Sequence, residues 1–177
     1  MLKFVQHFLC PRTEEQAEPA TLLFLDIDGV LNSQQTREGG DHMPAEALLD
    51  TLARVVHAAS ACIVLSSTWR LEEHTNRAVQ LALACHQLRL IGSTPDLAIY
   101  GDRVDEILSW IRTHPEHRVR AWVALDDMDL TAMNPKLDAA HFVRTDDTVG
   151  LTDQKADEAI RKLAAQCQWV LPQAPHG

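Results

Sequence analysis

The sequence predicts a three-layer α/β/α fold built around a mainly parallel sheet. Two observations carry this prediction. Short apolar runs typical of buried strands alternate with longer segments whose apolar residues recur at helical spacing. Several of the apolar runs also end abruptly in acidic or hydroxyl side chains, at Leu25, Leu65 and Leu125. Strands that alternate with helices favour parallel pairing, because right-handed crossovers place the helices on both faces of the sheet.

The first half of the chain begins with the strand Leu22–Leu25, four apolar residues that suit the middle of a sheet. The polar segment Ser33–Met43, which contains two adjacent glycines, predicts a flexible loop or a short hairpin. A helix is expected from Pro44 to about Ala59, because Pro is tolerated in the first turn. The next elements are predicted as a strand at 61–65, a helix at 72–87 and a short strand at 88–91.

The second half continues the alternation. Asp102 is expected to cap a helix that stops before Pro115, since acids crowd its first turn and one apolar stripe follows. The run Ala121–Leu125 predicts the next strand. A last strand near 141–143 and a helix at about 152–165 complete the pattern.

Size and composition indicate one domain with an ordinary core. The chain has 177 residues, of which 46% are hydrophobic and 23% are charged. Residues 11–20 have the composition of a linker, so residues 1–20 are predicted to be an N-terminal extension and residues 21–177 a single domain. The oligomeric state is not predicted.

Charge and hydropathy argue against nonspecific binding to polynucleotides and against a membrane partner, although a local arginine cluster could still bind one phosphate. The net charge is −9 and the pI is near 5.4, so no overall positive field attracts polynucleotides or anionic membranes. No apolar stretch approaches the ~18 residues that a membrane span needs, and no signal peptide is expected. The four cysteines show no CxxC spacing. A cytoplasmic location with no membrane partner is therefore expected.

The strand ends carry the candidate chemistry. Asp26 and Asp28 follow the first strand and start on the same side of the extended chain, and Gly29 lets the backbone turn. Paired carboxylates repel unless a cation lies between them, and their oxygens suit Mg²⁺. Taken alone, the pattern fits acidic turn residues equally well. However, Ser66 and the pair Asp126-Asp127 also follow strands, and the carboxyl ends of parallel strands meet in one cleft.

A family resemblance rests on two segments, Asp26-Ile-Asp-Gly-Val-Leu31 and VLSSTWR, the second of which ends at Arg70. Arg103 and the Asp126-Asp127 pair add to this resemblance. The chain resembles the haloacid dehalogenase-like (HAD) superfamily over residues 21–163. It is most similar to the HAD domains of Swiss-army-knife RNA-repair proteins. This resemblance implies a Rossmann-like fold and a Mg²⁺-dependent phosphomonoester hydrolase.

The resemblance also implies roles for the acids. Asp26 would be the nucleophile that forms an aspartyl-phosphate, and Asp28 the general acid and base. The metal would be held by the Asp26 carboxylate, the backbone carbonyl of Asp28, and Asp127. Asp126 would be an indirect or alternate metal ligand.

Four further residues are expected to bind the substrate phosphate. Ser66 matches the second family motif, with Ser67 as the alternative. Arg103 lies where most relatives are expected to carry Lys, which keeps the charge but changes its shape. Arg70 is expected to reach the phosphate or the next group of the substrate.

Two residues keep alternative interpretations. Trp69 is either a platform for a base or a core aromatic, and Arg37 is either a substrate clamp or a solvated side chain. The connections leave no room for a large cap domain, so the site is expected to be open. An open site favours a bulky phosphorylated substrate, such as a nucleic-acid end or a phosphoprotein. The rival hypotheses are a two-metal nuclease and a noncatalytic phosphate-binding module.

Overall fold

A computed structural model describes residues 18–37, 43–97 and 99–168. Its five strands form one sheet in which every neighbouring pair is parallel, in the order β3-β2-β1-β4-β5. The strands are β1 (Thr21–Leu25), β2 (Ala61–Leu65), β3 (Leu90–Ser93), β4 (Ala121–Asp126) and β5 (Phe142–Arg144). The predicted fold class is confirmed, and β1 lies at the centre between β2 and β4 as expected.

Helices cover both faces of the sheet. They are α1 (Gln34–Arg37), α2 (Glu46–Ala59), α3 (Glu73–Cys85), α4 (Arg103–Thr113), α5 (Leu130–Met133) and α6 (Asp153–Gln168). One core joins the Leu23 face of β1 to α2, α3 and α6. The other core joins the Phe24 face to Trp110 of α4 and Leu130 of α5. Because both faces of β1 are covered, all five of its residues are buried.

The segment after β1 differs from the prediction of a loop or hairpin over Ser33–Met43. Residues 34–37 form the single helical turn α1. The Ser33 amide donates to Thr36 Oγ1 at 2.9 Å, and the Thr36 amide donates to Ser33 Oγ at 3.3 Å. This reciprocal pairing is how Ser and Thr satisfy the free amides at the start of a helix. The rest of the predicted loop, residues 38–42, lies outside the described residues.

Most of the predicted N-terminal extension lies outside the described residues. Residues 1–17 and 169–177 lie outside the described residues, so the extension over 1–20 stays a prediction. Its last residue, Ala20, already pairs with the domain, since its amide donates to the His117 carbonyl and its carbonyl accepts from the Arg120 amide. Among the described helices, none combines the length and apolar character of a membrane span.

Candidate active site

The ends of β1 and β4 bring three acids together, beside the end of β2. Leu25 of β1 pairs in register with Leu65 of β2 and Leu125 of β4. The residues that follow these three therefore lie side by side at the carboxyl end of the sheet. Asp26, Asp126 and Asp127 each place a carboxylate oxygen within 4.8 Å of the other two. Asp26 and Asp126 are buried and Asp127 is partly buried. The convergence predicted for these acids is present.

Gly29 makes the close approach of Asp127 possible. Gly29 adopts a φ of +70°, which L side chains rarely adopt. A Cβ built at this position would lie 2.5 Å from both Cβ and Cγ of Asp127. Position 29 of the first motif therefore requires glycine for two reasons. The backbone turns off the sheet with a positive φ, and the Asp127 side chain fills the space that a Cβ would occupy.

Arg103 connects two of the three acids. Its Nη1 lies 2.9 Å from Asp26 Oδ1 and 2.8 Å from Asp126 Oδ2, and it also donates to the Ser66 carbonyl at 2.6 Å. Arg103 is the first residue of α4, and a reciprocal cap between Asp102 and Asp105 fixes that end of the helix. The basic residue expected near the nucleophile therefore contacts the Asp26 carboxylate.

The electrostatics leave this cluster short of positive charge. Burial raises the pKa of Asp26, although the neighbouring Arg103 opposes the change. Burial, and then the charge of Asp26, raise the pKa of Asp126 to about 7. Burial also raises the pKa of Asp127. One guanidinium faces three carboxylates, so a divalent cation that prefers oxygen ligands would relieve their repulsion.

These shifts predict that the metal-free protein loses stability as pH rises. Folded Asp126 has a pKa of about 7 against an ordinary value of 3.8, so folding takes up a proton between these values. The contribution of Asp126 to stability is fully present below pH 3.8 and is lost as pH rises through about 7. Thermal unfolding at pH 5 and pH 8 should show this slope, and Asp126→Asn should flatten it. An equal slope in Asp126→Asn would contradict the assignment.

The two serines after β2 have different surroundings. Both are buried, but the Ser66 hydroxyl has no hydrogen-bond partner among the described residues. The Ser67 hydroxyl hydrogen-bonds to the Asp26 carboxylate, which lowers the pKa of Asp26, and accepts from the Trp69 amide at 3.4 Å. Ser66 thus keeps a donor for a ligand, while Ser67 is engaged with the nucleophile candidate.

Arg70 makes other contacts than those expected from the sequence. Its guanidinium donates to the carbonyls of Thr94, Ser67 and Pro95 at 2.9, 2.7 and 2.9 Å, and it pairs with Glu106 at 2.9 Å. The side chain is only 4% exposed. The expectation that Arg70 reaches the phosphate is corrected, because its donors fasten the loop after β2 to the loop after β3.

Asp28 lies beside the acid cluster with partners of its own. Its Oδ1 accepts from Asn32 Nδ2 and its Oδ2 accepts from the Trp69 indole Nε1–H, each at 2.8 Å. Arg37 Nη1 lies 3.7 Å from Oδ1, while Arg37 Nη2 pairs with Asp147 at 2.6 Å. The Asp28 carboxylate is not part of the cluster formed by Asp26, Asp126 and Asp127. The metal ligand expected from Asp28 is its backbone carbonyl.

Sequence reasoning missed Asn32 and the contact of Trp69. Asn32 lies four residues after Asp28 in the same turn, so its position was a usable signal. Trp69 lies 41 residues from Asp28, and spacing gives no sign of their contact. The indole packs against the core as one interpretation held, but it also binds Asp28, which neither interpretation included.

The order and geometry of these motifs agree with a comparison to known families. A family model described as the HAD domain in Swiss Army Knife RNA repair proteins matches residues 22–156. The chain belongs to this family. The match covers all site residues described above and every strand except Thr21, the first residue of β1, and it supports a HAD-type hydrolase in general terms. No match was found among curated proteins or among solved structures.

Proposed function

We propose that this HAD domain is a Mg²⁺-dependent phosphomonoester hydrolase that acts through an aspartyl-phosphate on Asp26. The observation that carries the proposal is the convergence of Asp26, Asp126 and Asp127 within 4.8 Å, with Arg103 bound to Asp26. A phosphate monoester is a dianion, so a carboxylate nucleophile needs nearby positive charge to approach it. The cluster offers a place for that charge directly beside the nucleophile.

The residues present fit a hard divalent cation. The donors are all oxygens, and the raised pKa values of Asp26, Asp126 and Asp127 reflect charge that burial leaves poorly compensated. Both oxygens of Asp126 are engaged, one by the Met128 amide at 2.9 Å and one by Arg103. Asp26 and Asp127 would therefore hold the ion, with the Asp28 carbonyl. Bound Mg²⁺ would neutralise charge on the phosphoryl group and on the attacking carboxylate.

The side chains divide the reaction into two displacements. The Asp26 carboxylate attacks phosphorus, and the bond from phosphorus to the leaving oxygen breaks while Asp28 gives that oxygen a proton. Asp28 then takes a proton from water, which attacks the phosphorus of the aspartyl-phosphate. Phosphate leaves and the Asp26 carboxylate is restored. Arg103 and the Ser66 hydroxyl would hydrogen-bond to the phosphoryl oxygens.

The surroundings of the site favour a bulky substrate. The Asp28 side chain is 45% exposed, and the described residues between β1 and α2 contain only one helix, α1, of four residues. An open site relies on the substrate to exclude water. The description of the family favours a nucleic-acid end over a phosphoprotein, whereas the net charge of −9 disfavours extensive contact with a polynucleotide. A short terminal segment meets both conditions.

The test is hydrolysis of an aryl phosphate with Mg²⁺ and with EDTA. Turnover should fall to the uncatalysed level in EDTA and return when Mg²⁺ is added in excess, because the cation supplies several kcal/mol of charge stabilisation. A panel of phosphorylated RNA, DNA, nucleotides and peptides then ranks substrates by kcat/KM. Cleavage of diesters without monoesters would favour the two-metal nuclease. Phosphate binding without any turnover would favour the noncatalytic module.

A further inference from the structure

Neutral donors bind both oxygens of the Asp28 carboxylate, and the Arg37 guanidinium lies 3.7 Å from Oδ1. Asn32 reaches one oxygen from the turn after β1, and the Trp69 indole reaches the other from the 3₁₀ turn Thr68–Leu71 after β2. Two donors on opposite oxygens fix the plane of a carboxyl group that is otherwise 45% exposed. Each carboxyl oxygen has two acceptor sites, so room remains for a proton that passes to or from a substrate.

One short segment contacts both candidate catalytic acids. Ser67 bonds to Asp26 through its hydroxyl, the Trp69 amide donates to the same hydroxyl, and the Trp69 indole donates to Asp28. The spacing between the nucleophile and the acid is therefore set by residues from a second strand end, not only by the Asp26-to-Asp28 backbone.

The indole is itself firmly placed. The Trp69 ring packs against the core that lies between the sheet and α2. The backbone carbonyl of Trp69 accepts from Thr75 Oγ1 at 2.8 Å. The neighbouring Arg70 connects the same turn to the Thr94 and Pro95 carbonyls. A donor held by packing on one side and by backbone contacts on the other keeps its direction, which a flexible polar side chain does not do.

We propose that Trp69 is a positioning residue that orients Asp28 as general acid, and that the site is built for alkyl phosphate esters. The inference rests on the proposed function. An alkoxide leaves phosphorus poorly unless it receives a proton, whereas a phenolate of low pKa leaves without one. A carboxyl group fixed by two dedicated donors is needed for the first kind of substrate and is of little use for the second.

The experiment compares Trp69→Phe with wild type on an alkyl phosphate and on p-nitrophenyl phosphate, both with Mg²⁺. Phe keeps an aromatic ring and removes the N–H donor. General acids contribute roughly 10² to 10⁴-fold, so kcat/KM for the alkyl ester should fall about 30-fold or more, and that for the aryl ester less than about 3-fold. Trp122→Phe is the matched control, because that ring stacks on His141 away from the site. It should change neither value.

A second variant separates positioning from packing. If Trp69 acts through Asp28, adding Trp69→Phe to Asp28→Asn should lower alkyl ester hydrolysis no further. Equal losses on both substrates would reduce Trp69 to a packing role and overturn the inference while leaving the proposed function intact. No loss on either substrate would overturn it as well. Absence of turnover by the wild type on both substrates would overturn the proposed function and the inference together.

A measurement without metal or substrate tests the contact itself. The indole ¹H–¹⁵N resonance of Trp69 should move upfield and exchange faster with solvent in Asp28→Ala, because the acceptor is gone. The Trp122 resonance should not move in that variant. A Trp69 resonance unaffected by the loss of Asp28 would overturn the inference even in an active enzyme.

Discussion

Asp26→Asn is expected to reduce hydrolysis of an aryl phosphate by at least ~10³-fold, because the variant lacks the attacking carboxylate. The neutral amide cannot form the aspartyl-phosphate, and the substitution also removes one of the two carboxylates that would hold the ion. The measurement is kcat/KM with saturating Mg²⁺. Rapid quenching with acid should trap phosphorylated protein in the wild type and none in the variant.

The fold should survive this substitution. Asp26 is buried beside Asp126, and burial, followed by the charge of Asp26, raises the pKa of Asp126. A neutral residue at position 26 therefore relieves repulsion and leaves no new unpaired charge. Asp50→Asn is the control, since that side chain lies 73% exposed on α2. It should keep full activity. Mg²⁺-dependent monoesterase activity that persists in a folded Asp26→Asn protein would refute the covalent mechanism.

Arg103→Met is expected to lower kcat/KM by roughly 10² to 10³-fold, the usual loss when one donor to a charged transition state is removed. The same change should lower the free energy of unfolding of the metal-free protein by about 3 kcal/mol at pH 8, because it leaves Asp26 and Asp126 buried without their cation. Steady-state kinetics and denaturant unfolding measure the two effects. Arg103→Lys should recover part of each, since it restores the charge without the planar fork.

The stability loss in Arg103→Met should shrink at pH 5. The pKa values of Asp26 and Asp126 are already raised by burial, and removing Arg103 raises them further, so both carboxyls take protons at the lower pH. Arg112→Met, an exposed change on the same helix, is the control and should leave activity unchanged. Full activity in a folded Arg103→Met protein would exclude any role in phosphate binding.

The alternating strands, the acids at their ends and the fold class could all be predicted from local pattern. Four apolar residues before Asp26 are buried on both sides in a parallel sheet, and the ends of such strands meet at one edge. Asp126 and Asp127 follow another such run, and so the acid cluster was within reach of the sequence. The helical turn α1 was missed, because its amides are satisfied by Ser33 and by the Asp147 and Thr148 carbonyls, which lie far along the chain.

Side-chain partners across loops were decided only in three dimensions. Arg70 has the sequence features of a phosphate ligand, yet it binds the Thr94 and Pro95 carbonyls and Glu106 because the loop after β3 passes beside it. Trp69 reaches Asp28 for a related reason, since two loops from neighbouring strands meet above the sheet. Periodicity reports which face of an element is buried, and it therefore placed the strands. It does not report the path of a loop, and that path selects the partner of each polar side chain.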